Sequence, residues 1–146
     1  MKFALCNEVL QPLGFAQQCA YAAKLGYDGL EVAPFTLAGN PMDISDAQAG
    51  EFRRIAEDAG LKIFGLHWLL VAPSGLSISC EDAGLRMKTL GVMIRLVELC
   101  ALMGGNYLVH GSPKQRSTPE GSTRNRRSRV SPMSSHALHR MRRSTA

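Results

Sequence analysis

Lys24-Leu25-Gly26-Tyr27-Asp28-Gly29-Leu30-Glu31-Val32 joins the end of a helical pattern to the start of an apolar run. Phe15, Cys19, Ala22 and Leu25 recur before it at helical spacing, and Gly26 stands where a left-handed helix end is wanted. A short apolar run, Gly29–Ala33, follows almost at once. The same order of helix, glycine and apolar run returns at Ala59-Gly60-Leu61-Lys62-Ile63-Phe64 and at Met103-Gly104-Gly105-Asn106-Tyr107-Leu108-Val109. Such alternation is the mark of a parallel α/β sheet.

Working outward, four strands are predicted: Phe3–Cys6, Gly29–Ala33, Ile63–His67 and Tyr107–His110. Each is nearly all apolar, as expected of strands buried on both faces. The second helix opens with Ser45-Asp46-Ala47-Gln48, a capping box, and buries Phe52, Ile55, Ala56 and Ala59 before Gly60. The third lines one face with Leu85, Val92, Leu96, Leu99 and Met103. A doubly wound open sheet shares this pattern but usually carries a Gly-rich phosphate turn after its first strand, and Asn7–Leu13 has none. The expected fold class is therefore α/β, a partial (β/α)8 barrel of four parallel βα units. A closed barrel takes about 250 residues, and four strands are spent by His110.

The 146 residues, 45% apolar and 20% charged, suit one folded domain. The net charge of +5 is unevenly placed: residues 1–113 hold 8 Lys+Arg against 11 Asp+Glu, and residues 114–146 hold 9 against 1. Residues 1–113 read as the half-barrel, and 114–146 as a basic Arg/Ser-rich tail, disordered because it has too little apolar surface to offset ordering entropy. A shifted reading frame accounts for that composition. An evolved basic tail is the alternative, with Arg124, Arg126, Arg127 and Arg129 touching phosphates. Cys6, Cys19, Cys80 and Cys100 form no C-x-x-C pair and read as reduced, mostly buried thiols. No signal-peptide core and no apolar run approaching the roughly 18 residues of a membrane span is present. The expected location is the cytoplasm.

Reactive groups of a βα barrel sit where strands end. Glu31, His67 and His110 fall at such ends, and Glu31 is the one carboxylate assigned there. A packed, satisfied histidine or a solvated glutamate is the ordinary reading of each alone. Together on one rim they suit a sugar carbonyl and hydroxyl, or a divalent metal. Trp68-Leu69-Leu70-Val71-Ala72-Pro73 reads as a hydrophobic wall, with Trp68 stacking on a sugar face or buried as plain core. Lys114 and Arg116 add cations suited to a phosphate or carboxylate. The candidate substrate-binding set is Glu31, His67, Trp68, His110, Lys114 and Arg116. No catalytic residue and no metal ligand is assigned.

With Leu25–Val32, Gly65-Leu66-His67-Trp68-Leu69-Leu70-Val71 and Gly111-Ser112-Pro113-Lys114-Gln115-Arg116 in view, the chain resembles the xylose isomerase-like barrel superfamily, the sugar phosphate isomerases and epimerases, over about residues 1–118. The resemblance implies a ketose or sugar-phosphate substrate, a divalent metal (Mn, Mg, Co or Zn) and two glutamates that move a proton beside the carbonyl. It places the metal ligands and both glutamates on the later four strands, so this chain is expected to be truncated, inactive and without the metal when alone. The partners expected are a small sugar and, for the open sheet, a second copy or a complementing half-barrel. The competing reading is a nucleic-acid-related protein, an apurinic-site endonuclease-like barrel or a binder through its basic tail. The acidic body argues against it, and no membrane partner is expected.

Overall fold

Short apolar runs between amphipathic helices pair as expected. In a computed structural model, which describes residues 1–111 and 113–117, strands β1 (Ala4–Cys6), β2 (Gly29–Val32), β3 (Lys62–His67) and β4 (Tyr107–Val109) form one parallel sheet in the order β1-β2-β3-β4. Helices α1 (Phe15–Lys24), α2 (Asp46–Asp58) and α3 (Ala83–Leu102) connect them. The architecture is α/β and that of a partial TIM barrel. The expectation of a disordered tail lies outside the described residues, as does the side chain of Arg116. No helix among the described residues is long and apolar enough to cross a membrane.

The core lies between sheet and helices. Leu30 and Val32 of β2, and Ile63 and Leu66 of β3, meet Cys19 and Ala22 of α1, Ala49 and Ala56 of α2, Val92, Leu96 and Leu99 of α3, and Met103 just past its end. The small alanines let α1 and α2 lie close to the strands. Phe15 and Phe52 join those two helices edge to face, with centroids 5.1 Å apart. Gly26, Gly60 and Gly104 end the helices at φ of 83°, 78° and 82°, a region that costs other residues strain. Leu25, expected in the buried stripe of α1, is instead 55% exposed: it is the C-cap residue, where the helix has ended and the chain turns outward.

The capping box is formed as predicted. Ser45 Oγ accepts from the Gln48 amide at 3.2 Å, and Gln48 Oε1 accepts from the Ser45 amide at 2.9 Å. Ser45→Ala is expected to lower folding stability by about 1 kcal/mol, read as a shift of the urea midpoint at unchanged slope. An unshifted midpoint would show that α2 is held by its packing alone.

Two features position the site. Gly29 and Leu30 face Lys62 and Ile63, but Glu31 and Val32 face Gly65 and Leu66, so β3 bulges at Phe64. The extra residue lets Ile63 and Leu66 both enter the core and turns Gly65 and His67 to the opposite, concave face. The edge strands depart from the expectation of burial on both faces. Tyr107 and Val109 of β4 are exposed, as are Phe3 and Ala4 at the start of the chain, because among the described residues β1 and β4 each have one strand neighbour.

Candidate functional site

Register places Cys6, Glu31, Gly65 and Tyr107 in one row across the concave face. Gly65 leaves the gap that the row needs: a Cβ there would lie 2.6 Å from Tyr107 Cδ2. Tyr107 lies across that gap from Glu31, whose carboxylate helps to hold its phenol proton. From the other side Cys6 Sγ donates to Glu31 Oε2 at 3.3 Å. Just beyond the row, at the end of β3, stands His67, its side chain 5% exposed.

His67 is held between two carboxylates. Its Nε2 is 2.8 Å from Glu8 Oε2 and its Nδ1 is 3.6 Å from Glu31 Oε2. The first separation is hydrogen-bond length, yet neither ring nitrogen has an aligned hydrogen bond. Among the described residues, no lysine or arginine pairs with Glu8 or Glu31. The sequence reading, which assigned Glu31 as the one strand-end carboxylate, missed Glu8. The chain folds into a 3-10 turn, Asn7–Leu10, directly after β1, and this brings Glu8 back over the rim.

Asn7 fixes that turn. Wholly buried, it donates to Gln18 Oε1 at 3.0 Å and Thr36 Oγ1 at 2.7 Å, and accepts from the Ala33 amide at 2.8 Å. Its side chain thus ties together the ends of β1 and β2 and the start of α1. A buried amide satisfied on this scale holds a loop rigidly.

Burial first, then the hydrogen bond to Glu31 and the charges of Glu8 and Glu31, push the Cys6 thiol up to about 11. Burial and then Glu31 push Tyr107 up to about 12. Cys6 is therefore expected to react with iodoacetamide about 100-fold more slowly at neutral pH than an ordinary thiol, with a rate that climbs to pH 11. Peptide mapping checks this, and fast labelling of Cys6 at pH 7 would contradict it. The folded state holds this proton more tightly than the unfolded chain. Its stabilising effect is full below about pH 9 and is lost as pH rises toward 11.

Trp68 follows His67 with φ 51°, the one positive φ outside glycine among the described residues. Such a conformation costs of order 1–3 kcal/mol and gathers at functional sites. It sets the indole at the rim, 47% exposed, with its centroid 6.2 Å from that of Phe35 and its edge against Gly111. The expected hydrophobic wall is narrower than predicted: Leu69 and Leu70 turn into the core, where apolar side chains gain more, and Trp68 and Val71 remain outside. Beside Trp68 opens a cavity of about 630 Å³ that Val71, Leu76, Lys114 and Gln115 also line. Trp68 and Lys114 thus share one cleft, while Glu31 and His67 adjoin each other at the strand ends. His110 follows β4 at the same end of the sheet, half-buried.

No curated protein matches this chain. Solved structures do. One is a D-psicose 3-epimerase in the presence of D-fructose, 24% identical with a TM-score of 0.59, over 74% of this chain and 36% of that one. Another is the 3-keto-D-glucoside 4-epimerase YcjR from E. coli, 17% identical with a TM-score of 0.70, over 96% of this chain and 51% of that one. A third is the probable 3-DHS dehydratase AsbF of petrobactin synthesis from Bacillus anthracis, 21% identical with a TM-score of 0.55, over 74% and 37%. At these identities the likeness is one of fold, and the chain spans between 36% and 51% of those proteins' lengths. The parallel order β1 to β4 agrees with a family model that matches residues 19–139, and the chain belongs to the family that model describes, the xylose isomerase-like TIM barrel.

Proposed function

We propose that this chain is the substrate-holding half of a sugar isomerase or epimerase, and that its rim takes a ketose or a sugar phosphate. The observation that carries this reading is His67 held between Glu8 and Glu31 at the strand ends. A keto sugar offers a carbonyl that accepts and hydroxyls that donate. Glu8 and Glu31 accept from neighbouring hydroxyls, and the His67 ring supplies an N–H for an oxygen. Trp68, with Phe35 behind it, covers the C–H face of the sugar. Lys114 meets a phosphate at the cleft.

Moving a proton beside a carbonyl needs a placed base and a stabilised oxyanion, and losing one such group typically costs about 100-fold or more. A divalent cation bound near the carbonyl supplies that stabilisation. The family resemblance assigns the cation's ligands and the proton carriers to later strands. On this reading the chain binds sugar but does not turn it over alone. The open edges of β1 and β4 pair with a complementing half-barrel or a second copy.

The test is to incubate the 146-residue protein with a ketohexose in deuterated water and manganese, magnesium, cobalt or zinc. No deuterium is expected beside the carbonyl over hours, and sedimentation is expected to give species larger than a monomer. Exchange that disappears on Glu31→Gln would show a complete site in this chain, and a stable monomer at micromolar concentration would contradict edge pairing.

A further inference from the structure

We propose that Cys6, Glu31 and His67 bind a thiophilic divalent cation, zinc foremost, in a site made by the first three strands. The donor atoms Cys6 Sγ, a Glu31 carboxylate oxygen and a His67 ring nitrogen all lie within 4.8 Å of one another. Tetrahedral zinc with sulfur, nitrogen and oxygen ligands needs donors about 3.3–3.6 Å apart. Cys6 Sγ is 3.3 Å and His67 Nδ1 3.6 Å from Glu31 Oε2, so the two spacings that involve the carboxylate already fit. The third, between Cys6 Sγ and the His67 ring nitrogen, is within 4.8 Å.

The histidine points to a ligand independently of the cluster. It is a buried side chain with no aligned hydrogen bond at either nitrogen, which is costly unless something else takes its lone pair. Glu8 faces Nε2 at 2.8 Å, and a proton held on that nitrogen leaves the Nδ1 lone pair toward Cys6 and Glu31. A carboxylate behind a metal-binding imidazole is the common outer support of zinc sites. Two carboxylates and a thiol converge here with no paired lysine or arginine among the described residues, so a cation would also relieve their repulsion.

The mixed sulfur, nitrogen and oxygen set selects zinc or cobalt(II) over magnesium, which prefers oxygen donors. On binding, the Cys6 S–H bond breaks, the proton goes to solvent and the thiolate pair forms the bond to the metal. Water or a substrate oxygen takes the fourth position. This site is separate from the metal that the family resemblance places on later strands, and it does not depend on the sugar reading.

The experiment titrates the metal-stripped full chain with cobalt(II). The expected result is a near-ultraviolet thiolate-to-cobalt band with intense visible absorption, saturating at one equivalent and displaced by zinc. Cys6→Ser should remove the band, Cys80→Ser should keep it, and Glu8→Gln should weaken binding about 10- to 100-fold. In the unsubstituted protein, zinc should protect Cys6 from alkylation, which needs no variant to fold. Absence of the band in that protein, its survival in Cys6→Ser, or unprotected Cys6 in saturating zinc would each overturn the proposal. Cys6 and Glu31 would then be a closed hydrogen-bonded pair.

Discussion

Gly65→Ala is expected to lower folding stability by about 3 kcal/mol, the upper part of the range for overpacking a filled site. The added methyl would meet the Tyr107 carbonyl oxygen and lie 2.6–2.7 Å from two ring carbons. Backbone on the neighbouring strand cannot yield as a flexible side-chain end would, so β4 must shift away from β3. Tyr107 then loses its reach to Glu31, and its ionisation should fall from about 12 toward the ordinary range. Gly50→Ala makes the same chemical change inside α2, where a Cβ would meet nothing within 4 Å. There the gain in helix propensity should raise stability by about 0.5–1 kcal/mol. Urea unfolding of the two variants checks the opposite signs. Equal effects would mean that the gap over Gly65 is not what seats Tyr107.

Glu31→Gln is expected to weaken keto-sugar binding by about 10- to 100-fold, the value of one hydrogen bond to a charged group. The amide keeps the shape of the carboxylate and removes its charge. Glu31 also raises both Cys6 and Tyr107. In the variant, alkylation of Cys6 and ionisation of Tyr107 should therefore begin at lower pH, even with no sugar present. Unmoved profiles would show that Glu31 does not govern the row, whatever happens to binding.

The repeated helix-glycine-strand order was legible because it is local: Gly26, Gly60 and Gly104 punctuate it, and each strand is a short apolar run. Glu31, His67 and His110 could be assigned to one end of the sheet because parallel strands bring all their C-terminal ends together. Glu8 and Tyr107 could not be found in this way. Glu8 depends on Asn7, whose partners Gln18, Ala33 and Thr36 lie far along the chain. Tyr107 depends on the missing side chain of Gly65, a relation between strands that no periodicity records. The bulge at Phe64 decides the face of His67, and an apolar run such as Lys62–His67 reads the same with or without one. Cys6 looked like any buried thiol, since only pairing with β2 sets it against Glu31.

Recognition of a keto sugar at this rim would be reported directly by Trp68, the one tryptophan of the chain. Its fluorescence is to be followed while the intact protein is titrated with a ketohexose, and separately with the alditol that lacks the carbonyl. A saturable change is expected with the ketose, little with the alditol, and a markedly weaker response in Glu31→Gln. No saturable change, or one equal for ketose and alditol and unaltered in Glu31→Gln, would contradict it.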